Sequence, residues 1–250
     1  MIPEGRRELI LRTLRTDGPA EVRALAEQFG VSQATIRRDL VQLDKEGRLS
    51  RVHGGAVSAA DTDDPFAEVA RVRVDEKDAI AEHGAGLIKD GEAVLLDIGT
   101  TALRLARKLH GRSLTVITSN LAVYEELKND NDIQIVLLGG ILRRSYQSLV
   151  GFLTEDNLRQ VHADRLFLGT SGIRAGGQIV DTTAVEVPLK RAMIAASDQV
   201  VLLADASKFP GTGMARVCDP GDIDVVITNA GADPVTCAAL RQADVEVIEV

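Results

Sequence analysis

Residues that could bind a phosphorylated ligand follow an apolar run near the middle of the sequence. The stretch LLDIGTT, residues 95–101, has the composition of a buried strand and ends in Asp97, Gly99 and two threonines. Free backbone amides at a helix N-terminus, approachable past a glycine and assisted by hydroxyl groups, suit a phosphate. Ordinary strand-to-helix turn chemistry, with Thr100 as the helix cap, explains the same residues equally well.

Four other apolar runs also end in polar or glycine-rich turns. The turns are TSN at 118–120, LGG at 138–140, GTSG at 169–172 and DASKF at 205–209. In a parallel sheet such turns gather at the carboxyl edge of the strands, where ligands bind. The last turn would bring Asp205 and Lys208 to this edge. Glu186 and Lys190, four residues apart on a predicted helix, could face the same cleft. A surface ion pair worth a few tenths of a kcal/mol is the alternative.

The same carboxylates and lysines could also move a proton in an enzyme. Other catalytic signals are weak. GTSGI lacks the second glycine of a nucleophile elbow, and GTGMAR at 211–216 is a poor dinucleotide fingerprint. The four histidines show no metal-ligand spacing, and Cys218 and Cys237 form neither a metal motif nor a disulfide framework. We therefore expect no catalysis, no metal and no cofactor, and two reduced thiols in a cytoplasmic protein.

A short cationic helix face near the N-terminus has the composition of a nucleic-acid contact. In VSQATIRRDL, residues 31–40, Ser32 is expected to cap a helix by accepting hydrogen bonds from amides one turn on. At 100° per residue, the core stripe of this helix is Ile36, Leu40 and Leu43. The opposite, outward face is Ala34, Thr35, Arg38 and Gln42, with Arg37 at its edge. Arginine and glutamine side chains read base edges in the major groove, and hydroxyl groups reach phosphates.

Two other interpretations of this face remain open. Arg37 and Arg38 could simply solvate the helix, with Asp39 and Asp44 nearby as partners, and winged helices also bind proteins. The ribbon RLSRVHGGAV that follows would add cations able to reach the DNA backbone or the minor groove, namely Arg48, Arg51 and His53.

The elements that position these residues fall into two regions. Residues 1–57 have the pattern of three short helices and a β-ribbon around Gly54 and Gly55, which is a winged helix-turn-helix domain. Residues 58–65, SAADTDDP, have the composition of a linker. Residues 66–250 alternate helices with short Val/Ile/Leu-rich strands, which indicates an α/β domain with a mostly parallel sheet covered on both faces.

Charge separates the two regions as well. The 250 residues are 45% apolar with a net charge of −8, but residues 1–57 carry ten basic and eight acidic side chains, against nineteen and twenty-nine in the remainder. The second region, at −10, would stay off DNA, whereas the first, at +2, would not. No apolar run approaches the roughly 20 residues of a membrane helix, and no secretory signal is expected.

Both regions resemble one protein family. From Arg6 to Val57, with LAEQFGVSQATIRRDLVQLDKEGRLSRVHGGAV at its centre, the chain closely resembles the DNA-binding domain of DeoR-type transcriptional regulators. From Phe66 onward it is similar to the DeoR sensor domain through LDIGTT, TSN, LGG, the E…K helix and DASKF. That domain is related in fold to ribose-5-phosphate isomerase and coenzyme A transferases. This relationship leaves open a sugar-phosphate isomerase-like enzyme as the alternative function, with Asp97, Asp205, Glu186 and Lys208 as the residues that would move a proton.

The resemblance implies a repressor of sugar or polyol metabolism genes that binds a double-stranded DNA operator and a phosphorylated sugar or polyol. The expected recognition helix runs from Ser32 to Leu43. With the ribbon, the DNA-contact candidates are Ser32, Gln33, Thr35, Arg37, Arg38, Arg51 and His53. The effector-binding candidates are Asp97, Gly99, Thr100, Thr101, Asn120, Glu186, Lys190, Asp205 and Lys208. Because one winged helix covers few base pairs, we expect a homodimer or homotetramer.

Overall fold

Two compact units divide the chain between residues 62 and 63. This division falls within the predicted linker, 58–65, of which only Ser58 belongs to the described part of the chain. The structure is a computed structural model that describes residues 3–16, 20–46, 48–52, 55–58 and 66–250. Within these residues, no helix combines the length and the apolar character needed to cross a membrane.

The first unit is a winged helix-turn-helix, as predicted. Its elements are α1 (Pro3–Thr16), β1 (Ala20–Glu21), α2 (Val22–Phe29), α3 (Gln33–Lys45), β2 (Leu49–Val52) and β3 (Gly55–Ser58). The strands form an antiparallel sheet in the order β1-β3-β2. Ser58, predicted as the first linker residue, instead ends β3 and pairs with Leu49.

A left-handed glycine makes the turn between α2 and α3. Gly30 has φ +63° and its amide closes the end of α2, as the sequence predicted. The three helices then pack around side chains that are at most 1% exposed, including Ile10, Leu25, Ile36 and Leu40. These apolar contacts fix the orientation of α3 within the unit.

The second unit is an α/β domain built on seven parallel strands. In sheet order they are β15 (Glu246–Glu249), β14 (Val225–Thr228), β12 (Ser197–Leu203), β9 (Ala163–Gly169), β4 (Ala93–Leu96), β5 (Leu114–Thr118) and β6 (Ile133–Leu137). The helices are α4 (Phe66–Val69), α5 (Val74–Leu87), α6 (Thr100–Arg107), α7 (Leu121–Leu127), α8 (Phe152–Leu158), α9 (Val187–Ala195) and α10 (Pro234–Gln242). The predicted mostly parallel sheet is therefore confirmed.

Alternate residues of the central strands face different helical layers. On β4, Leu95 belongs to the cluster that contains Leu189 of α9, whereas Leu96 belongs to the cluster that contains Ile80 of α5 and Leu105 of α6. Burial on both sides explains why these strands are nearly continuous runs of aliphatic residues.

The strand order reverses its direction between β4 and β9. From β4 the chain adds β5 and β6 on one side, and from β9 it adds β12, β14 and β15 on the other. A parallel sheet opens a crevice at such a switch point, beyond the carboxyl ends of its strands. The turns after β4 and β9 border this crevice.

Two antiparallel additions were not predicted from the sequence. One is a small sheet of β10 (Gly172–Ile173), β11 (Ile179–Asp181) and β13 (Ala215–Cys218). The other is a hairpin of β7 (Ile141–Arg143) and β8 (Ser148–Val150). Their strands are two to four residues long, too short to show a clear alternation of apolar and polar residues.

Candidate functional site

Helix α3 presents its predicted polar face to solvent. The Ser32 hydroxyl accepts a hydrogen bond from the Thr35 amide at 3.2 Å, which is the expected N-cap. Gln33, Arg37 and Arg38 are exposed. On the opposite face Ile36, Leu40 and Leu43 are buried, as the helical spacing predicted.

The two arginines of α3 are not held by the carboxylate beside them. Asp39 turns inward and is 3% exposed, where it accepts hydrogen bonds from Arg6 Nε at 2.6 Å and Arg7 Nε at 3.3 Å. The alternative interpretation, in which Asp39 partners Arg37 and Arg38, is therefore wrong for Asp39. Arg37 donates to Gln33 Oε1 at 3.3 Å, and Arg38 has no hydrogen bond or ion pair to any described residue. Two exposed guanidinium groups are thus available to an anionic partner.

Only part of the predicted DNA contacts of the wing lies among the described residues. Arg51 lies on β2 opposite Ala56, but its side chain and the whole of His53 fall outside the described part of the chain. Arg48 ion-pairs with Glu8 of α1 at 2.7 Å. This pair ties the start of the wing to the first helix.

At the switch point of the second unit, Asp97 follows β4 and is fully buried. Its Oδ2 accepts a hydrogen bond from the amide of Gly169, the last residue of β9, at 2.8 Å. Its Oδ1 has no hydrogen-bond partner among the described residues. Burial raises the pKa of Asp97, against the opposing effect of the nearby Lys190 ammonium.

Lys190 of α9 connects three strand ends. Its Nζ lies 3.2 Å from Asp97 Oδ2 and 2.8 Å from Asp181 Oδ2, and it donates to the Gly169 carbonyl at 2.9 Å. Burial by itself would lower the pKa of Lys190, but the carboxylates of Asp181 and Asp97 outweigh it and hold that pKa well above its usual value. Lys190 is therefore a buried ammonium that stays protonated.

Glu186 and Lys190 do not form the surface ion pair considered as the alternative. Both side chains are 3% exposed. Glu186 is the N-cap of α9 and binds the guanidinium of Arg143, which arrives from hairpin β7–β8. Each of the two charges therefore has its own buried partner.

The start of α6 is open to a ligand. Gly99 is the N-cap in an extended conformation, so the alternative in which Thr100 caps the helix is wrong. A Cβ on Gly99 would meet nothing within 4 Å, which shows free space above the turn. Thr100 is buried and Thr101 is half-buried. The first amides of a helix have no partner within it and point toward such a space.

Asn120 holds this turn from the neighbouring strand. It is fully buried, caps α7 by accepting from the amides of Ala122 and Val123, and donates to the carbonyls of Asp97 and Gly99 at 3.3 Å. The amide group is fully used within the protein. Its geometry suits positioning of the Gly99 turn better than direct contact with a ligand.

A group of cations lies beyond β12. Asp205 is buried and caps the turn that carries the half-buried Lys208. Arg73, in a left-handed conformation at the start of α5, lies 3.4 Å from Asp205 through its Nε. Lys77 of α5 is buried and donates to the Val69 carbonyl at 2.8 Å.

The charge on Lys77 is poorly compensated. Burial, together with the positive charges of Lys208, Arg104 and Arg73, lowers its pKa to about 8 against the opposing effect of Asp205. Arg104 is paired with Asp78 and Arg73 with Glu76 and Asp205, so among these cations it is the Lys77 ammonium whose burial a phosphate would offset, since a nearby negative charge favours the charged form of a buried lysine.

The sequence interpretation missed three side chains of this edge. Lys77 occupies the apolar stripe of α5 with Ile80, Ala81 and Gly84, and a lysine at such a position was a detectable signal. Asp181 follows an Ile-Val pair as Asp97 follows a Leu-Leu pair. Nothing in the local sequence marks Arg143, whose partner is 43 residues away.

A helix-turn-helix with an exposed cationic face, and a cluster of buried charges at the switch point of a parallel sheet, are the features expected of a DNA-binding regulator with a sensor domain. Two family models match these two parts of the chain. The one described as "DeoR-like helix-turn-helix domain" matches residues 6–62, and the one described as "DeoR C terminal sensor domain" matches residues 72–230.

Curated relatives agree with the family models over nearly the whole chain. The regulator YulB of Bacillus subtilis is 35% identical over 100% of this chain and 98% of its own length. The transcriptional repressor AccR of Agrobacterium fabrum is 38% identical over 91% and 90%. The glycerol-3-phosphate regulon repressor of Escherichia coli is 34% identical over 88% of both chains. The protein belongs to the DeoR family of DNA-binding transcriptional regulators.

Among solved structures, ribose-5-phosphate isomerase A of Methanocaldococcus jannaschii is 18% identical, covers 54% of each chain and has a TM-score of 0.40. The relation to coenzyme A transferases stays a prediction.

Proposed function

We propose that this protein is a repressor of sugar or polyol metabolism genes and that a phosphorylated sugar or polyol controls its binding to an operator. The observation that carries the proposal is the buried group of Lys190, Asp97 and Asp181 at the switch point, beside the cations around Lys77. One relative is named as a repressor of the glycerol-3-phosphate regulon, which supports a phosphorylated polyol or sugar as the effector class.

The phosphate of the effector would bind between the amides at the start of α6 and the cations beyond β12. Thr100 and Thr101 supply hydroxyl groups at the first position, and Lys77 and Lys208 supply charge at the second. A phosphate dianion there would compensate the desolvated Lys77 ammonium, so binding gains a charge-assisted contact that water does not provide.

The hydroxyl groups of the sugar or polyol would face the carboxylates. Asp97 Oδ1 is a buried acceptor without a partner among the described residues, and such an atom gains most from a ligand hydroxyl. Glu186, Lys190 and Asp205 would hold the walls of the crevice through their ion pairs. Asn120 would act by positioning the Gly99 turn.

The exposed residues of α3 would read the operator. Arg37, Arg38 and Gln33 reach outward for base edges or phosphates, and Ser32 and Thr35 add hydroxyl groups at the helix start. Arg51 and His53 of the wing complete the proposed contacts. A homodimer or homotetramer would place two such helices on paired half-sites, about one helical turn or a multiple of it apart.

Binding without catalysis fits the crevice better than the isomerase-like alternative does. A general base must be neutral or anionic and must reach the substrate. Lys190 is kept protonated between two carboxylates, and Asp205 and Glu186 are held in ion pairs with Arg73 and Arg143. These contacts make a rigid binding site, and we propose that the protein is not an enzyme.

Fluorescence anisotropy with labelled DNA from upstream of the protein's own gene tests the proposal. We expect tight binding, and release by one member of a panel of sugar and polyol phosphates at micromolar concentration. A coupling of about 1–3 kcal/mol corresponds to a roughly 5- to 150-fold loss of DNA affinity. Tight DNA binding that no member of the panel weakens would contradict the proposed effector class. No DNA binding even at low salt would contradict the proposal that the protein is a repressor.

A further inference from the structure

A buried hydroxyl group without a partner lies on the second strand of hairpin β7–β8. Ser148 is fully buried, and its Oγ makes no hydrogen bond to any described residue. A hydroxyl group in such a place has lost its hydration and gained nothing in return, which is uncommon in folded proteins and calls for a physical reason. The groups around Ser148 indicate that the reason is a ligand.

Two neighbouring strands place the Ser148 side chain in a row of polar groups. Ser148 pairs with Arg143 across the hairpin, and on its other side it forms an antiparallel β-bridge with Asn120. Residues directly opposite each other in antiparallel strands point to the same face. The three side chains therefore share one face, with Ser148 in the middle.

This row connects the two sides of the switch point. At one end, Asn120 donates to two backbone carbonyls of the turn before α6, each at 3.3 Å. At the other end, Arg143 binds Glu186, the N-cap residue of α9. The Ser148 hydroxyl thus lies between the start of α6 and the start of α9.

Ser148 and Asn120 are close together, yet the asparagine cannot satisfy the hydroxyl group. Two backbone hydrogen bonds between the residues on either side flank the pair, at 2.8 and 2.9 Å. This is the pattern of a non-hydrogen-bonded antiparallel pair, whose Cα atoms are about 4.5 Å apart. The Asn120 amide already donates to two carbonyls and accepts from two amides, which uses its full capacity. The Ser148 hydroxyl therefore remains available beside the Gly99 turn.

A second buried oxygen without a partner among the described residues belongs to a residue that Asn120 also contacts. It is Asp97 Oδ1, and the backbone carbonyl of Asp97 is one of the two that Asn120 holds. An ionised carboxylate oxygen only accepts hydrogen bonds, whereas a serine hydroxyl can donate one. A ligand with hydroxyl groups on adjacent carbons offers a donor to Asp97 and an acceptor to Ser148.

We propose that Ser148 is a specificity-determining residue of the effector site, where it donates to one hydroxyl group of a vicinal diol while Asp97 Oδ1 accepts from the other. The assignment rests on the proposed function, because it places the polyol part of the effector beside the Gly99 turn. Since Ser148 is covered in the free protein, the effector enters through a shift of hairpin β7–β8 away from that turn. An analogue that lacks either hydroxyl group leaves a buried oxygen unpaired and is rejected.

Calorimetric titration of the full chain without DNA tests this contact, with glycerol 3-phosphate, ribose 5-phosphate and fructose 6-phosphate as probes. We expect S148A to weaken binding of the tightest probe about 2- to 12-fold, the equivalent of one neutral hydrogen bond. The variant should also discriminate less between that probe and its singly deoxygenated analogues.

The matched control is T154V. The Thr154 hydroxyl is also fully buried and without a partner among the described residues, but it lies on α8 against Gly140, outside the row. T154V should bind the probe as the unaltered protein does. An equal loss of affinity in both variants would show that the packing of the hairpin matters and that Ser148 makes no contact of its own, which overturns the assignment.

The stability of the free protein separates a ligand contact from a structural role. Because the Ser148 hydroxyl has no partner before the effector binds, S148A should have a urea midpoint no lower than that of the unaltered protein. A clearly lower midpoint would show that the hydroxyl group holds the fold, and it would overturn the assignment. Unchanged affinity for the probe, or unchanged discrimination against every analogue, would do the same.

These outcomes are distinct from those that test the proposed function. If no probe binds the unaltered protein, the proposed effector class fails and the assignment of Ser148 fails with it. If a probe binds and S148A leaves its affinity unchanged, only the assignment of Ser148 is wrong. If S148A weakens the probe while the unaltered protein binds no operator, the contact is supported and the repressor proposal fails.

Discussion

The cations of the two units differ in what surrounds them. On α3, Arg37 and Arg38 are exposed, and Asp39 lies inside the unit and binds Arg6 instead. In the second unit, Lys190 is buried between two carboxylates, and Arg143 is buried against Glu186. The first arrangement leaves positive charge for a partner outside, whereas the second uses it to hold strand ends and a hairpin in place.

This difference predicts that the two kinds of cation contribute to different measurable quantities. Removing an exposed arginine should change binding and leave the free energy of unfolding alone. Removing a buried partner leaves a charge without compensation in a medium of low polarity, which destabilises the fold strongly. Lys77 is intermediate, because it is buried but poorly compensated.

Replacing Lys190 by Met should have the largest effect. Asp97 and Asp181 would lose their shared cation, and we expect the free energy of unfolding to fall by about 3–5 kcal/mol. Urea denaturation followed by circular dichroism measures the loss. Lys108→Met is the control, because Lys108 forms an exposed pair with Glu82 and its removal should leave the midpoint unchanged. Equal midpoints for both variants would show that the buried pairs do not hold the strand ends.

Replacing Lys77 by Met should weaken effector binding by about 1.5–3 kcal/mol, the range for a hydrogen bond to a charged group. The free protein keeps Lys77 charged up to about pH 8. A bound phosphate would keep it charged to higher pH, so effector affinity should fall as the pH rises above about 8. Calorimetric titrations at several pH values, using the panel member that releases the operator, measure this dependence.

The Lys77→Met variant should lose that pH dependence as well as the affinity. Lys89→Met, which removes an exposed lysine of the same unit, should retain both. A Lys77→Met variant that binds the effector with the original pH profile would place the phosphate elsewhere.

Replacing Arg38 by Ala should weaken operator binding by about 1–3 kcal/mol with no change in the unfolding midpoint. Anisotropy titrations measure the affinity, and Arg241→Ala supplies a matched loss of one exposed arginine from the second unit. If the Arg38→Ala variant binds the operator as tightly as the control, Arg38 does not contact DNA. The alternative in which this helix face is only solvated would then be favoured.

Replacing Thr100 by Val should give the smallest effect. The change removes one hydroxyl group at the start of α6 and keeps the shape of the side chain. We expect operator affinity to be unchanged and the effector concentration for half-release to rise by a factor that corresponds to about 0.5–1.5 kcal/mol. The same half-release concentration as the unaltered protein would exclude this hydroxyl from the site.

Local patterns predicted much of the architecture. The cap at Ser32, the stop at Gly30 and the apolar stripe of α3 follow from chain geometry over a few residues, and all three are present. The parallel sheet was recognisable because its inner strands, such as β4 and β14, are aliphatic runs buried on both faces. Hairpin β7–β8 and the small antiparallel sheet were missed, because strands this short are set by the partners that they find in space.

The sequence by itself determined a winged helix with an outward cationic face, an acidic α/β unit, and polar turns after several strands. These features depend on side-chain periodicity and on residues that favour turns, both of which act along the chain. Only the tertiary structure decided which charges meet. Lys190 with Asp97 and Asp181, Arg143 with Glu186, and Lys77 beside Lys208 are each brought together by packing. Coulomb energies and desolvation depend on distance and burial in space, which separation along the sequence does not specify.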